Sequence, residues 1–370
     1  MPKREPVNAP KVWFYPHSVL RPRQLDVIRA WPQGHVHNPE LATQTAPALA
    51  GPGARPTARR AGILNRLPLP NIKRRPPGLP ADTAVYVWGG VVDRGPFIAD
   101  LDTPYALTGY NLAALPLWRG ILGRMLRSRR CLEIRCMSAA CRRSLELEFG
   151  ARTAAKATVH YPRLADAPVA RSPHADAETW AGPRFLFVGT QFEIKGGAAL
   201  LRAFTTVRAA LPEAHLDLVT HLPTNRRALV NQPGVGVHAA TIGRTELWQR
   251  FFHQADVLVL PTYVDSFGMV ALEALAHGLA LVATDLYALP EMVNDGVNGA
   301  LLHAPLSIWD GYRPSALYRA LDTAPDVAAA LDTTVFECDL AAAMIGLGDR
   351  AKLRAAQTAS RQLYETRFAA

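Results

Sequence analysis

The stretch VLVLPTYVDSFGMVALEALAHGLALVATDL, residues 257–286, most narrowly limits what this chain can fold into. A short apolar run, DVLVLPT, reads as a buried strand. SFGMVALEALAHG reads as a helix, and LALVATDL as the next strand. Strand, helix and strand in so few residues are the unit of a parallel sheet flanked by helices.

The same alternation runs through much of the chain. Downstream of residue 180 come the strand RFLFVGT, a helix from near Gly196 to Pro212, the strands HLDLVTHL and VGVHAA, and the amphipathic helix ELWQRFFHQA. A helix after Asp349 ends the pattern. Upstream, AVYVWGG, PFIADLD, CLEIRCMS and ATVHYP read as strands. Leu115–Arg130 reads as a basic helix, and AACRRSLELEFG as another. Between the halves, LADAPVARSPHADAETWAGP has no periodicity and reads as a linker. Residues 1–80 read as irregular after one strand over Val12–Tyr15. Both ALAGPGARPTARRAG and the Arg-Pro run Lys73–Pro77 are expected to be mobile loops.

The expected organisation is therefore a basic first domain over 1–170, irregular to about 80, and a linker over 171–183. A second α/β domain follows over 184–345, with a closing helix over 346–370. A chain of 370 residues, 49% of them hydrophobic, is long enough for two cores.

Charge divides along the same line. Residues 1–170 hold 25 Lys+Arg and 11 Asp+Glu, a net +14; the remainder holds 16 and 20, a net −4. A basic half suits an anionic partner or a solvated surface. In Leu115–Arg130, the side chains Trp118, Ile121, Leu122, Met125 and Leu126 form one helical stripe with arginines around it, which fits an anionic membrane surface. The opposing reading packs the stripe on the domain's own sheet. Nucleic-acid binding lacks the interleaved aromatics it would use. The first residues lack an apolar signal-peptide core, and no apolar stretch is long enough to span a bilayer. A cytoplasmic protein is expected, with the inner membrane face as its peripheral site. Cys131, Cys136, Cys141 and Cys338 match no common zinc spacing and read as free thiols.

Two segments carry chemistry. In FVGTQFEIKGG a strand ends at Gly189 and Thr190, and Lys195 with Gly196 opens a helix, a junction suited to phosphate. In the 257–286 stretch a loop delivers Asp265 and Ser266. The helix-start amides from Phe267, Gly268, Met269 and Val270 then aim beyond the strand end. Glu273 follows among apolar neighbours, where an unpaired carboxylate is costly. A ribose diol or a salt bridge would satisfy it.

These residues resemble the nucleotide-sugar site of the retaining glycosyltransferases of family 4, the glycosyl transferases group 1, which have a GT-B fold. That family carries Gly-Arg-x4-Lys-Gly, then Glu-x7-Glu with Phe-Gly after the first Glu, then Leu-Pro-Glu-x-Val-x-Asp-Gly-x-Asn-Gly. The last stands here as LPEMVNDGVNG, and the resemblance covers residues 184–303. It implies two Rossmann-like α/β domains facing a cleft and closed by a C-terminal helix. It also implies sugar transfer from UDP- or GDP-sugar to a glycan, lipid-linked or small-molecule acceptor. Lys195 would touch the diphosphate, Glu273 the ribose and Asp265 the sugar. The amides after Asp265 would meet phosphate or sugar. Thr190 replaces the family's arginine, so either Lys195 and another basic residue, Arg244 in TIGRTE, carry the diphosphate or the site has lost power. Asp265 is one methylene shorter than the family's Glu. On the acceptor side Asp100, Asp102 and Thr103 are the candidates. No metal or other cofactor is called for: Lys195 and the amides would stabilise the leaving group. The rival readings are a non-catalytic nucleotide-sugar-binding protein, a sugar-nucleotide epimerase of the same architecture, and a non-enzymatic adaptor working through the basic half.

Overall fold

The computed structural model describes residues 9–16, 20–44, 68–164, 180–319 and 323–369. The chain divides into two compact units, residues 1–47 with 55–165, and residues 48–54 with 166–370. The expected loop ALAGPGARPTARRAG, and the expected linker up to Thr179, lie outside the described residues.

The first unit is built on five parallel strands: β1 (Val12–Phe14), β2 (Ala84–Trp88), β3 (Phe97–Leu101), β4 (Cys131–Cys136) and β5 (Ala157–Val159). They lie side by side in sequence order. Every residue of β2 and β3 is buried, as a strand covered on both faces requires. Helices Ala114–Arg127 and Ala139–Phe149 form where the basic and cysteine-bearing helices were expected. Ser138 caps the second, accepting from the Cys141 amide at 2.9 Å.

The described residues of the first 80 form more regular structure than their composition suggests. Pro22–Ala30 is a helix with proline in its first turn, and the Arg21 amide donates to the Gln24 side chain at 2.8 Å. Leu25 and Ile28, one turn apart, go into the core with Phe14, Trp31, Tyr86 and Trp88. The Arg-Pro run is not a free loop either. Ile72–Lys73 pairs with Val91–Val92, and Arg75 donates to the carbonyls of Pro80 (2.6 Å) and Thr83 (2.8 Å). Arginine's several donors pin the run that proline leaves without amides.

The second unit is built on six parallel strands: β6 (Arg184–Gly189), β7 (His215–Thr220), β8 (Val235–Ala239), β9 (Val257–Leu260), β10 (Ala280–Thr284) and β11 (Gly299–Leu302). In space they run β8-β7-β6-β9-β10-β11. The chain thus builds outward from β6 in one direction, then returns to its other side and builds the opposite way. β6 and β9 are direct neighbours, Val257 beside Phe185. This is a doubly wound sheet, and a crevice opens at the carboxyl ends of the two strands where the order reverses. Helices Gly197–Ala210 and Met269–His277 follow β6 and β9. The segment expected as the helix ELWQRFFHQA forms as one α-turn, Arg244–Leu247, and a π-turn, Trp248–Phe252. The last helix, Arg350–Leu363, and the turn that follows it, Tyr364–Phe368, pack within this unit: Arg361 donates to the Ala276 carbonyl at 3.0 Å, and Arg367 to that of Glu291 at 2.8 Å.

Candidate functional site

The site forms at the reversal point, because two loops there are locked together. Gly196 adopts φ 76°, and a Cβ at this position would lie 2.1 Å from the Pro261 carbonyl oxygen. Only glycine allows the loop after β6 to lie so close to the loop after β9. The Tyr263 amide then donates to the Ile194 carbonyl at 2.9 Å. Lys195 is held with its stem against Gly189, whose added Cβ would lie 3.0 Å from the lysine Cγ. Its ammonium donates to the Val264 carbonyl (2.8 Å) and to Asp265 Oδ2 (2.7 Å). Both side chains remain about one-fifth exposed, 20% and 18%, so the pair meets solvent.

The other oxygen of Asp265 turns back on its own chain. Oδ1 accepts from the amides of Ser266 (2.9 Å), Phe267 (3.3 Å) and Gly268 (3.0 Å). The short aspartate side chain reaches the next amides in the manner of a cap. This corrects the expectation that Phe267 and Gly268 offer their amides outward: those amides are occupied. Gly268, at φ 85°, then turns the chain into the helix. The amides of Met269 and Val270, the first two of that helix, have no acceptor among the described residues. They carry the positive end of the helix dipole.

One turn beyond Met269 stands Glu273, 7% exposed. Its partner is Arg244, whose Nε donates to Oε1 at 3.1 Å and whose guanidinium lies 4.6 Å from the Trp248 ring centroid. Two candidates named separately in the sequence are thus brought together, and the carboxylate has the cation that its burial calls for. One turn further, His277 is fully buried; its Nδ1–H donates to the Glu273 carbonyl at 2.7 Å. Its Nε2 has no partner among the described residues, and its ring lies 5.3 Å from Trp248 and 5.1 Å from Phe252. Burial in this aromatic shell lowers its pKa to about 4. Thr190 sits half-buried just past β6. Next to it, the Thr220 hydroxyl holds the Gly189 carbonyl at 2.6 Å.

Trp309 was missed in the sequence. Its indole donates to the Asp265 carbonyl at 2.6 Å, and Tyr287 stacks on it with centroids 4.1 Å apart. Tyr287 holds φ 49°, a conformation strained for an aromatic residue. Trp309 begins a two-strand hairpin, Trp309–Asp310 with Arg313–Pro314. The Asp310-Gly311 pair, where the first strand enters the turn, is a signal that could have flagged it.

Asp100, Asp102 and Thr103 belong to the first unit. Asp100 is 3% exposed and engaged on both oxygens, by Arg23 and by the Tyr86 hydroxyl (2.5 Å). Asp102 accepts from Tyr110 (2.7 Å) and from the Thr103 amide (2.8 Å). The Thr103 hydroxyl is buried with no partner among the described residues. No group of three or more His, Cys, Asp and Glu among the described residues is arranged to hold a metal ion.

The family described as glycosyl transferases group 1 matches residues 182–312. The D-inositol 3-phosphate glycosyltransferase of Paenarthrobacter aurescens is 31% identical over 147 residues, 37% of this chain and 34% of the relative. Its counterpart in Streptomyces griseus is 45% identical over 71 residues, 19% of this chain and 14% of the relative. The chain spans at most about a third of the curated relatives it matches. Among solved structures, TarM aligns over 77% of this chain and 52% of its own, at 9% identity and a TM-score of 0.50, a likeness of fold alone. The fold is GT-B-like, with two Rossmann-like α/β units. The proteins similar to this chain are glycosyltransferases, and residues 182–312 carry its match to the glycosyl transferases group 1.

Proposed function

We propose that this chain transfers a sugar from a nucleoside diphosphate-sugar, UDP- or GDP-linked, to a hydroxyl of a glycan, lipid-linked or small-molecule acceptor. Transfer proceeds with retention of anomeric configuration and without a metal ion. The observation that carries this reading is the reversal point itself. Lys195 and the open amides of Met269 and Val270 are set beyond the carboxyl ends of β6 and β9.

Breaking the bond from the anomeric carbon to phosphate oxygen leaves the electron pair on the diphosphate. An ammonium and two amides of fixed direction stabilise that charge without reorganising. Lys195 exchanges Asp265 for a phosphate oxygen, which releases Asp265 Oδ2 to accept from hydroxyls of the donor sugar. Glu273 accepts from the ribose while Arg244 offsets its charge. Arg244 also supplies the cation that Thr190 lacks. The relatives matched over this segment are glycosyltransferases, which supports sugar transfer as the chemistry.

A second reading, nucleotide-sugar binding without transfer, is favoured by one observation: Lys195 and Arg244 are each already neutralised by a carboxylate. Donor turnover separates the two. Purified protein is incubated with a panel of UDP- and GDP-sugars and released nucleotide is measured, with and without EDTA. Release that survives EDTA supports metal-independent transfer. Binding with no release from any donor supports the second reading. Release abolished by EDTA and restored by magnesium or manganese overturns the role given to Lys195 and the amides.

A further inference from the structure

The first unit carries a surface that the proposed chemistry does not use. Helix Ala114–Arg127 buries Ala114, Leu115, Leu122, Gly123 and Leu126, and Trp118 donates its indole N–H to the Pro68 carbonyl at 2.6 Å. Most of the stripe expected to face lipid therefore belongs to the unit's own interior. A different arc remains outside. Leu117 is 68% exposed and Ile121, one turn later on the same face, is 47% exposed. Leu69, next in the chain to the Pro68 that Trp118 holds, is 50% exposed.

Charge frames this apolar arc. Residues 114–130 contain five arginines and no acidic residue. Arg119 is engaged by Glu148 at 2.8 Å, Arg127 donates to the Thr153 hydroxyl at 3.0 Å, and Arg130 to the Asp93 carbonyl at 2.6 Å. Arg124 continues the Leu117–Ile121 face by one turn. It and Arg129 are exposed and form no ion pair with a described residue.

We propose that this face docks on an anionic lipid bilayer. Leu117 and Ile121 enter the boundary between headgroups and acyl chains, and Arg124 and Arg129 meet lipid phosphates. The combination selects lipid over nucleic acid. A single-stranded nucleic acid would gain from exposed aromatic rings in a basic groove. Here the exposed apolar groups are aliphatic, and they gain by leaving water for hydrocarbon. The basic charge is confined to this half of the chain, +14 over residues 1–170 against −4 beyond, so only this half is drawn to an anionic surface.

The test is co-sedimentation of the full chain with vesicles of phosphatidylcholine alone, or of phosphatidylcholine with roughly 30% phosphatidylglycerol, a fraction that gives strong surface charge. The wild type should bind the anionic vesicles at least about fivefold better than the neutral ones. The double variant Leu117→Ser/Ile121→Ser should lose most of that binding while melting at the same temperature, since both side chains are exposed. Arg124→Gln/Arg129→Gln should shift binding to lower salt. Wild-type protein left in the supernatant with anionic vesicles overturns the proposal. So does unchanged binding by the Leu117/Ile121 variant, or tighter binding to a single-stranded oligonucleotide than to vesicles. Donor turnover measured without vesicles should be the same in wild type and the Leu117/Ile121 variant. Failure here therefore stands apart from failure of the enzymatic reading.

Discussion

The two sheets of this chain are both parallel, yet they are wound differently. In the first unit the strands lie in sequence order, each added beside the one before, from β1 to β5. In the second the order reverses between β6 and β9. Charged side chains near the strand ends follow that difference. In the first unit they close on one another: Asp100 on Arg23 and Tyr86, Glu133 on Arg135 (2.7 Å), His160 (2.6 Å) and Thr158 (2.8 Å). In the second, Lys195 and Arg244 are paired with carboxylates beside two amides that have no acceptor among the described residues. Asp100 with Arg23 and Tyr86 is a buried network with every charge answered, which holds a structure together. The Lys195–Asp265 pair, about one-fifth exposed and beside open amides, can exchange its partner for a ligand.

The largest effect should come from breaking the closed network. Asp100→Ala removes the carboxylate of a buried pair and leaves Arg23 and Tyr86 without it, which should cost about 3–5 kcal/mol of stability in urea unfolding. Donor binding by the protein that remains folded should be intact. A loss below about 1 kcal/mol, the range of a surface pair, would mean that the first unit's network is not the closed one described.

Acid should then separate the units. His277 has its pKa lowered to about 4 from 6.5 by burial, so the folded state disfavours the proton that the unfolded state takes up. Its stability contribution is complete above pH 6.5 and is lost as pH falls from 6.5 to 4. The loss is on the order of 3 kcal/mol. Burial works against the charge of Glu133, but His160, Arg135 and Thr158 outweigh it and hold the carboxyl down to about 2 from 4.5. Its contribution is complete above pH 4.5 and is lost between 4.5 and 2. Hydrogen exchange resolved by residue should therefore show the second unit loosening first on acidification, and His277→Phe should abolish that early phase. Simultaneous loosening of both units would erase the distinction.

A smaller effect concerns the pair inside the site. Arg244→Ala should lower donor turnover roughly tenfold to a hundredfold, the value of a charge-assisted contact of about 1.5–3 kcal/mol. Thr190→Arg should change it little, because Arg244 already provides the cation. If Thr190→Arg instead raises affinity and rate together, the site as it stands is underpowered and Arg244 is structural.

Much of this was legible in the sequence where periodicity and glycine carry the signal. The strands of the first sheet, those of the second except the edge strand β11, the helix after β9 and the Lys195-Gly196 junction follow from short apolar runs and from backbone that only glycine permits. What escaped depended on distant partners. Helix Pro22–Ala30 is short, with a single proline and two arginines, and it is held by packing on Phe14 and Tyr86 rather than by propensity. The sequence left the stripe of Leu115–Arg130 with two readings, lipid-facing or packed on its own sheet, because amphipathicity names an apolar face without naming what covers it; Leu122 and Leu126 pack inward, while Ile121 stays exposed. That Asp265 Oδ1 accepts from the amides of its own loop was not foreseen. Whether an aspartate caps its own turn depends on the backbone path at Gly268, and Lys195 comes from 70 residues away. Trp309 and Tyr287 gave no local sign of meeting at the Asp265 carbonyl.

The central claim, that the reversal point of the second sheet holds a nucleoside diphosphate through Lys195, is tested most directly by calorimetric titration of UDP and of GDP into wild type and Lys195→Ala. Saturable binding of at least one nucleotide to the wild type is expected, weakened at least about tenfold in the variant while the fold melts unchanged. Equal affinity in the two proteins, or no binding of either nucleotide to the wild type, would contradict it.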